Sequence, residues 1–141
     1  MALSQQELIN TLSGLSLFGD LSRPQLEQVA HKMTEESYPT GQRILRQGFT
    51  GTGFYVILDG EAAVKIDGSD VARLGKGDFF GEMSVLLGEP PVADIVATRQ
   101  LHVLHLGGPE LEGFLREYPA VMYRMLKTVA LRFYNVSRTR T

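Results

Sequence analysis

The sequence predicts an antiparallel β-barrel or jelly roll (double-stranded β-helix) with helices on both sides of it. Helical spacing of apolar residues in the first third, short β-type segments in the middle and helical spacing again in the last third support this class. No strand–helix–strand alternation appears, so a doubly wound fold is not expected. We predict a single domain over residues 1–141, with N-terminal helices in 1–36, the barrel in 37–107 and C-terminal helices in 108–138.

Two helices are predicted ahead of the first strand. Ser4 and Glu7 form a capping-box pattern for the first helix, and Ser22 followed by Pro24 is a start signal for the second. Apolar residues recur at three- and four-residue steps after each start: Leu8, Leu12 and Leu15, then Leu26, Val29, Ala30 and Met33. The second helix is expected to end at about Thr34.

The apolar period changes from about 3.6 to 2 in the middle of the chain, which indicates strands. Asp59-Gly60 and Asp67-Gly68 separate β-type runs, and both dipeptides accept the positive φ of a tight hairpin. Residues 82–87 are good helix formers, but Gly81 and Gly88 confine them to one or two turns. The sequence therefore predicts one short helix inside the barrel.

The last third begins with Pro109 and restarts at Pro119, both suited to a first helical turn. An apolar stripe follows at three- and four-residue steps: Val121, Met122, Met125, Leu126, Val129 and Phe133. We expect this stripe to pack on the barrel. A seam for homodimerisation and a lid that moves with ligand are the alternative interpretations.

Composition restricts the class of protein. With 141 residues, 43% of them hydrophobic, the chain can bury a core without a disulfide or metal, and the absence of cysteine excludes thiolate chemistry. A net charge of −2 lacks the basic face of a nucleic-acid binder. No apolar run is long enough for a bilayer, and no secretory signal opens the sequence. We predict a soluble, cytoplasmic chain with neither nucleic acid nor membrane as partner.

Catalytic and metal-binding constellations are not recognisable in the sequence. His102 and His105 lie three apart on a predicted strand and so point to opposite faces, which prevents one metal from taking both. Ser84 has no histidine near it in sequence to act as a base. We therefore predict no metal and no enzyme, and a transcription factor is not expected because no recognition helix follows the last helix.

The short predicted helix is the candidate site, because a helix among strands interrupts their hydrogen bonding. Free backbone amides at a helix start favour an anion, and Gly81 would allow it to approach closely. Glu82 is an acceptor suited to a pair of sugar hydroxyls. The structural alternative for Glu82 is stabilisation of the helix start by its negative charge.

The segment Gly81-Glu82-Met83-Ser84-Val85-Leu86-Leu87-Gly88-Glu89-Pro90 resembles the phosphate-binding cassette of the cyclic nucleotide-binding domain family. That family includes the catabolite activator protein and the regulatory subunits of protein kinase A. The glycine and aromatic patterns of residues 38–44, 54–64 and 74–82 are similar as well. The resemblance implies a non-catalytic regulatory domain that binds a cyclic nucleotide or another small anion and acts on an unidentified protein partner.

The resemblance also implies roles for single positions. Glu82 would accept from the ribose 2′-hydroxyl, and the amides of Met83 and Ser84 would face the phosphate. The purine pocket would be lined by Val64, Val71 and Leu74. Phe133 or Tyr134 would act as a lid over the base. Val92 stands where guanine-selective members have threonine, which implies cyclic AMP in preference to cyclic GMP.

Pro91 departs from the family, which has an arginine there to hold the cyclic phosphate. Proline supplies neither a charge nor an N–H. Losing two charged hydrogen bonds weakens binding by about 3–6 kcal/mol, which turns a micromolar site into one of roughly 0.1 mM or weaker.

Asp94 adds negative charge where the family has a small hydroxyl residue. Arg46, Arg73 and Arg99 are candidate substitute cations. We predict a sensor with weakened or altered cyclic nucleotide affinity; the alternative is a degenerate member that acts as a ligand-independent scaffold.

Overall fold

The computed structural model describes residues 3–49 and 53–139. Its helices are α1 (Gln5–Ser13), a 3₁₀ turn (Ser16–Phe18), α2 (Arg23–Lys32), α3 (Glu82–Leu87), α4 (Gly108–Glu117) and α5 (Pro119–Thr139). Its strands are β1 (Thr34–Tyr38), β2 (Arg43–Leu45), β3 (Gly53–Asp59), β4 (Ala62–Ile66), β5 (Ser69–Leu74), β6 (Phe79–Phe80), β7 (Asp94–Ala97) and β8 (Leu101–Gly107).

The capping boxes predicted for α1 and α2 are confirmed. The Ser4 and Ser22 side chains each accept from the backbone amide three residues on, and Glu7 and Gln25 accept in return from the cap amides. α2 stops at Lys32, close to its predicted end, but the predicted start of the strands at residue 37 is wrong, since β1 already begins at Thr34. Pairing with distant β8 decides this, because all of β1 lies antiparallel to residues 101–105.

The described strands form two four-stranded antiparallel sheets and no closed barrel. The orders are β1-β8-β3-β6 and β2-β7-β4-β5. Within the alternatives predicted from the sequence, this arrangement corresponds to the jelly roll rather than to the barrel. Side chains from both sheets pack together in one core cluster, which includes Tyr55, Ile57, Ile95 and Val103.

The two predicted hairpin turns differ in what they connect. Asp67 and Gly68 both have positive φ, and they join the paired strands β4 and β5 as a tight hairpin. Asp59-Gly60 is not a hairpin, because β3 and β4 belong to different sheets. Gly60 is nevertheless required there: its φ is +98°, and an added Cβ would lie 2.1 Å from the carbonyl oxygen of Gln100.

A second core cluster lies between the β1-β8-β3-β6 sheet and the terminal helices. Alternate residues of β3 contribute to it, while the intervening ones enter the core between the sheets, so β3 is buried on both faces. From α5, only the early residues Val121 and Met125 are buried in this cluster. No helix in the described ranges combines the length and the apolar character that crossing a bilayer requires.

Candidate ligand-binding site

A cavity of about 650 Å³ opens between the β2-β7-β4-β5 sheet, α3 and α5. Every residue predicted to contact ligand directly lines it: Val64, Val71, Leu74, Gly81, Glu82, Met83, Ser84, Pro91 and Val92. The fold thus brings three separate parts of the sequence to one space. Strands supply an apolar wall, α3 supplies the polar side chains of Glu82 and Ser84, and the segment after it supplies Pro91 and Val92.

The two residues predicted as a lid, Phe133 and Tyr134, do not line this cavity. They are 73% and 60% exposed on α5. The cavity face of α5 is formed instead by Thr128, Arg132, Asn135 and Val136. The prediction identified the covering helix but chose residues on another of its faces, because an apolar stripe does not fix which face meets the cavity.

Gly81 is needed for packing as well as for its backbone conformation. Its φ is +91°, and an added Cβ would lie 2.0 Å from the carbonyl oxygen of Gly53 on β3. The space beside Gly81 Cα is therefore filled by the protein's own backbone. This corrects the expectation that the missing side chain leaves room for an anion.

Glu82 presents an unpaired acceptor within the protein. The residue is 5% exposed, and among the described residues its buried Oε1 has no hydrogen-bond donor. Burial raises the pKa of the Glu82 carboxyl; hydrogen bonds from the backbone of Glu82 and Met83 and the charge of Arg132 oppose this shift. A hydroxyl-bearing ligand would supply the missing donor.

Ser84 and Met83 differ in what their side chains do. The Ser84 hydroxyl donates to the carbonyl oxygen of Glu89, which closes the turn after α3. Its oxygen is thus engaged in holding the loop that leads to Pro91. Met83 is half exposed at the edge of the cavity.

Asp94 does not add its charge to the cavity wall. Its Oδ1 accepts from the Gln47 amide at 2.7 Å, and its Oδ2 lies 3.7 Å from Arg43 Nε. The neighbouring Ile95 lines the cavity, and side chains alternate along β7, so Asp94 points to the other face. The predicted electrostatic effect of Asp94 on an anion is corrected accordingly.

Of the three arginines predicted as substitute cations, only Arg73 lines the cavity. Its Nη1 and Nη2 atoms lie 2.9 Å from Glu61 and 3.3 Å from Asp70, so carboxylates already hold it. Arg46 instead stacks on Phe49, with its guanidinium carbon 5.1 Å from the ring centroid. Arg99 is not among the cavity residues.

Arg132 lines the cavity and was missed by the sequence reasoning. Its Nη2 donates to the Phe79 carbonyl oxygen at 2.9 Å, and its Nη1 lies 3.8 Å from Glu82 Oε2. The sequence carries no local signal for it, because which face of α5 meets the cavity is set by packing across the molecule.

The histidines of β8 pair with carboxylates of β1. His102 Nε2 lies 2.5 Å from Glu35 Oε2, and His105 Nδ1 lies 3.2 Å from Glu36 Oε2. The two glutamates are adjacent on their strand, as expected if the histidines point to opposite faces. Within residues 3–49 and 53–139, no cluster of three or more potential ligands for a metal ion occurs.

A model of the cyclic nucleotide-binding domain matches residues 35–118, which span the strands and the α3 segment that carry this cavity. The chain belongs to the cyclic nucleotide-binding domain family. The resemblance of residues 81–90 to the phosphate-binding cassette therefore reflects membership. In this chain, the segment that resembles the cassette is followed by Pro91.

The chain is similar to short parts of much longer proteins. The chain is 39% identical over 97 residues to a cGMP-dependent protein kinase of Caenorhabditis briggsae, covering 64% of this chain and 13% of the kinase. It spans 12–25% of the lengths of five curated relatives that it matches. The similarity to these proteins therefore concerns the binding domain.

The fold is similar to those of two solved structures. The catabolite activator protein of Thermus thermophilus is 26% identical with a TM-score of 0.78, covering 87% of this chain and 60% of that one. The regulatory subunit of a cAMP-independent protein kinase A from Trypanosoma cruzi, bound to guanosine, is 25% identical with a TM-score of 0.76. That similarity covers 97% of this chain and 51% of the subunit.

Proposed function

We propose that this chain is a non-catalytic regulatory domain that binds a nucleotide-like ligand beside Glu82. The observation that carries the proposal is the buried Oε1 atom of Glu82, which lacks a donor among the described residues at the wall of a 650 Å³ cavity. A buried acceptor without a donor costs about 1–3 kcal/mol, and more when charged. A ribose hydroxyl that donates to this atom removes that cost on binding.

The cavity suits the remaining parts of such a ligand. Its volume falls within the range of about 300–1,000 Å³ that is usual for small-molecule sites. Val64, Val71 and Leu74 provide an apolar wall for a base. Val92 offers no hydrogen-bonding side chain to a guanine, which favours adenine and supports cyclic AMP over cyclic GMP.

We propose that cyclic nucleotides bind weakly here, because Pro91 contributes wall but no cation. A neutral nucleoside is the other ligand class to test, since the Trypanosoma cruzi regulatory subunit was solved with guanosine. The ligand-independent scaffold remains the competing function. Pro91 is the observation that favours it.

Titration with cyclic AMP, cyclic GMP and adenosine separates these functions. With a dissociation constant near 0.1 mM, about 10 mM cyclic AMP stabilises the folded state by roughly 2.7 kcal/mol and raises Tm by about 5–10 °C. We expect a smaller shift with cyclic GMP. If none of the three ligands at millimolar concentration changes Tm or gives heat in calorimetry, the sensor function is wrong and the scaffold function is favoured.

Pro91→Arg tests whether the missing cation limits the affinity. We expect it to strengthen cyclic AMP binding by at least about tenfold, because a charged phosphate contact is restored. Adenosine affinity should stay unchanged, since adenosine carries no phosphate. Gln6→Arg adds the same charge on exposed α1 and serves as the control. Equal affinities for cyclic AMP in the variant and the unaltered protein would show that position 91 does not limit binding.

We also propose that α5 pairs with a second copy of this chain. Tyr123, Leu126, Ala130 and Phe133 are exposed and follow steps of three, four and three residues. That spacing is the a/d pattern of a two-stranded coiled coil. The seam lies away from the cavity-lining residues Thr128 and Arg132.

A further inference from the structure

Arg132 places a positive charge at the wall of the cavity. Its guanidinium carbon lies 4.7 Å from the ring centroid of Phe79, and its Nη2 donates to the carbonyl oxygen of the same residue. Its Nη1 lies 3.8 Å from Glu82 Oε2, which is longer than a hydrogen bond. The side chain is 38% exposed, so it is accessible to a ligand that enters the cavity.

Among the described residues, two cationic side chains line this cavity, Arg73 and Arg132, and they differ in their ion pairs. Arg73 already forms close ion pairs with Glu61 and Asp70. Arg132 contacts the Phe79 ring, a neutral carbonyl oxygen and a carboxylate beyond hydrogen-bond length. Because a guanidinium has five N–H donors, Arg132 retains donors for an anionic group.

Glu82 makes a cation necessary for any anionic ligand. A phosphate placed beside a buried carboxylate is repelled by it, and the low local dielectric strengthens that repulsion. Pro91 supplies nothing to offset it. A positive charge 3.8 Å from Glu82 Oε2 both screens the carboxylate and attracts the phosphate.

We propose that Arg132 is the phosphate-binding cation of this site, reaching the ligand from α5 in place of the arginine that is missing at position 91. This inference rests on the proposed function. Arg132 then contacts the anionic part of the ligand, while Glu82 accepts from its sugar. Because α5 carries the cation, an anionic ligand also holds α5 against the cavity.

Paired titrations of Arg132→Gln with cyclic AMP and adenosine test the inference, because the two ligands share base and sugar and differ in the phosphate. We expect the variant to bind cyclic AMP about 10–100-fold more weakly, whereas adenosine affinity changes by less than about threefold. Arg132→Lys keeps the charge but loses the planar fork. Its affinity for cyclic AMP should therefore lie between those of the unaltered protein and Arg132→Gln. Arg116→Gln, an arginine in a single exposed ion pair on α4, is the matched control.

The other outcomes contradict either the role of Arg132 or the proposed function. If Arg132→Gln binds cyclic AMP as well as the unaltered protein does, or loses both ligands equally, Arg132 is not the phosphate cation. If the unaltered protein binds adenosine but not cyclic AMP, the inference is wrong and the nucleotide-like site stands. If it binds neither ligand, the proposed function fails and this inference with it.

Discussion

Glu82 combines deep burial with an unmet hydrogen bond, an arrangement unfavourable for folding. The residue is 5% exposed, and Nη1 of the partly exposed Arg132 lies 3.8 Å from its Oε2. Such a partly exposed ion pair contributes little, so it does not offset the burial. Its burial and unmet hydrogen bond are what we expect of the binding role that we propose for Glu82.

Glu82→Gln should stabilise the protein at neutral pH. Burial raises the pKa of Glu82 above its ordinary 4.5, so the folded state holds the proton more tightly than the unfolded state. The resulting loss of stability is absent below pH 4.5, grows as the pH rises through the raised pKa and is complete above it. We expect the variant to have the higher Tm at pH 8 and an equal Tm at pH 4.

Thermal denaturation at the two pH values measures this effect. Glu112→Gln changes an exposed glutamate on α4. Its Tm should differ between pH 4 and pH 8 by as much as the Tm of the unaltered protein does. A Tm for Glu82→Gln below that of the unaltered protein at pH 8 would mean that contacts to the carboxylate outweigh its burial. The variant should also lose affinity for ligands whose hydroxyls donate to Glu82.

Helix α5 connects the helical core, the cavity and an exposed apolar seam. Its early residues are buried among the terminal helices, and its Arg132 lines the cavity with Nη1 3.8 Å from Glu82 Oε2. A two-point ion pair also fastens it: Arg124 Nε and Nη2 donate to the Asp20 carboxylate at 2.8 and 3.0 Å. Beyond Met125, no residue of α5 with a described side chain is buried.

Arg124→Gln should loosen α5 without unfolding the sheets. The bidentate bond to Asp20 is lost, and amides of α5 should exchange with solvent about two- to fivefold faster, while those of β3 and β8 keep their rates. Native-state hydrogen exchange measures both sets. Arg116→Gln removes an ion pair within α4 and should leave α5 unchanged. Unaltered exchange of α5 in Arg124→Gln would show that apolar contacts alone hold this helix.

In the whole molecule, the cavity and the proposed dimer seam lie on different faces of α5. Arg132 and Thr128 line the cavity, while Leu126 and Phe133 are exposed. A second copy on the seam would therefore leave the cavity residues uncovered by that contact. It would also place α5 of each copy against α5 of the other.

Replacing both Leu126 and Phe133 by glutamate should convert a dimer into a monomer. We expect the unaltered protein at about 100 µM to sediment with twice the 15.6 kDa mass of the chain and the double variant with the single mass. Leu131→Glu introduces a charge at an exposed leucine outside the seam and should remain dimeric. A single mass for the unaltered protein would exclude the α5 pairing.

Local signals in the sequence were sufficient for several elements. The capping residues Ser4 and Ser22, the turn at Asp67-Gly68 and the glycine-bounded helix α3 each depend on a few neighbouring residues, and the structure has all of them. The family resemblance likewise led to nine residues that line the cavity, four of them within residues 81–90.

Tertiary structure decided the features that depend on distant residues. The early start of β1 needs pairing with β8, and the turn at Asp59-Gly60 crosses between sheets only because of how the strands are ordered. Arg132 lies fifty residues from Glu82, and its place at the cavity depends on the rotation of α5 about its axis. The physical reason is that caps and turns are satisfied by adjacent backbone groups, whereas helix rotation and strand order are set by packing across the whole molecule.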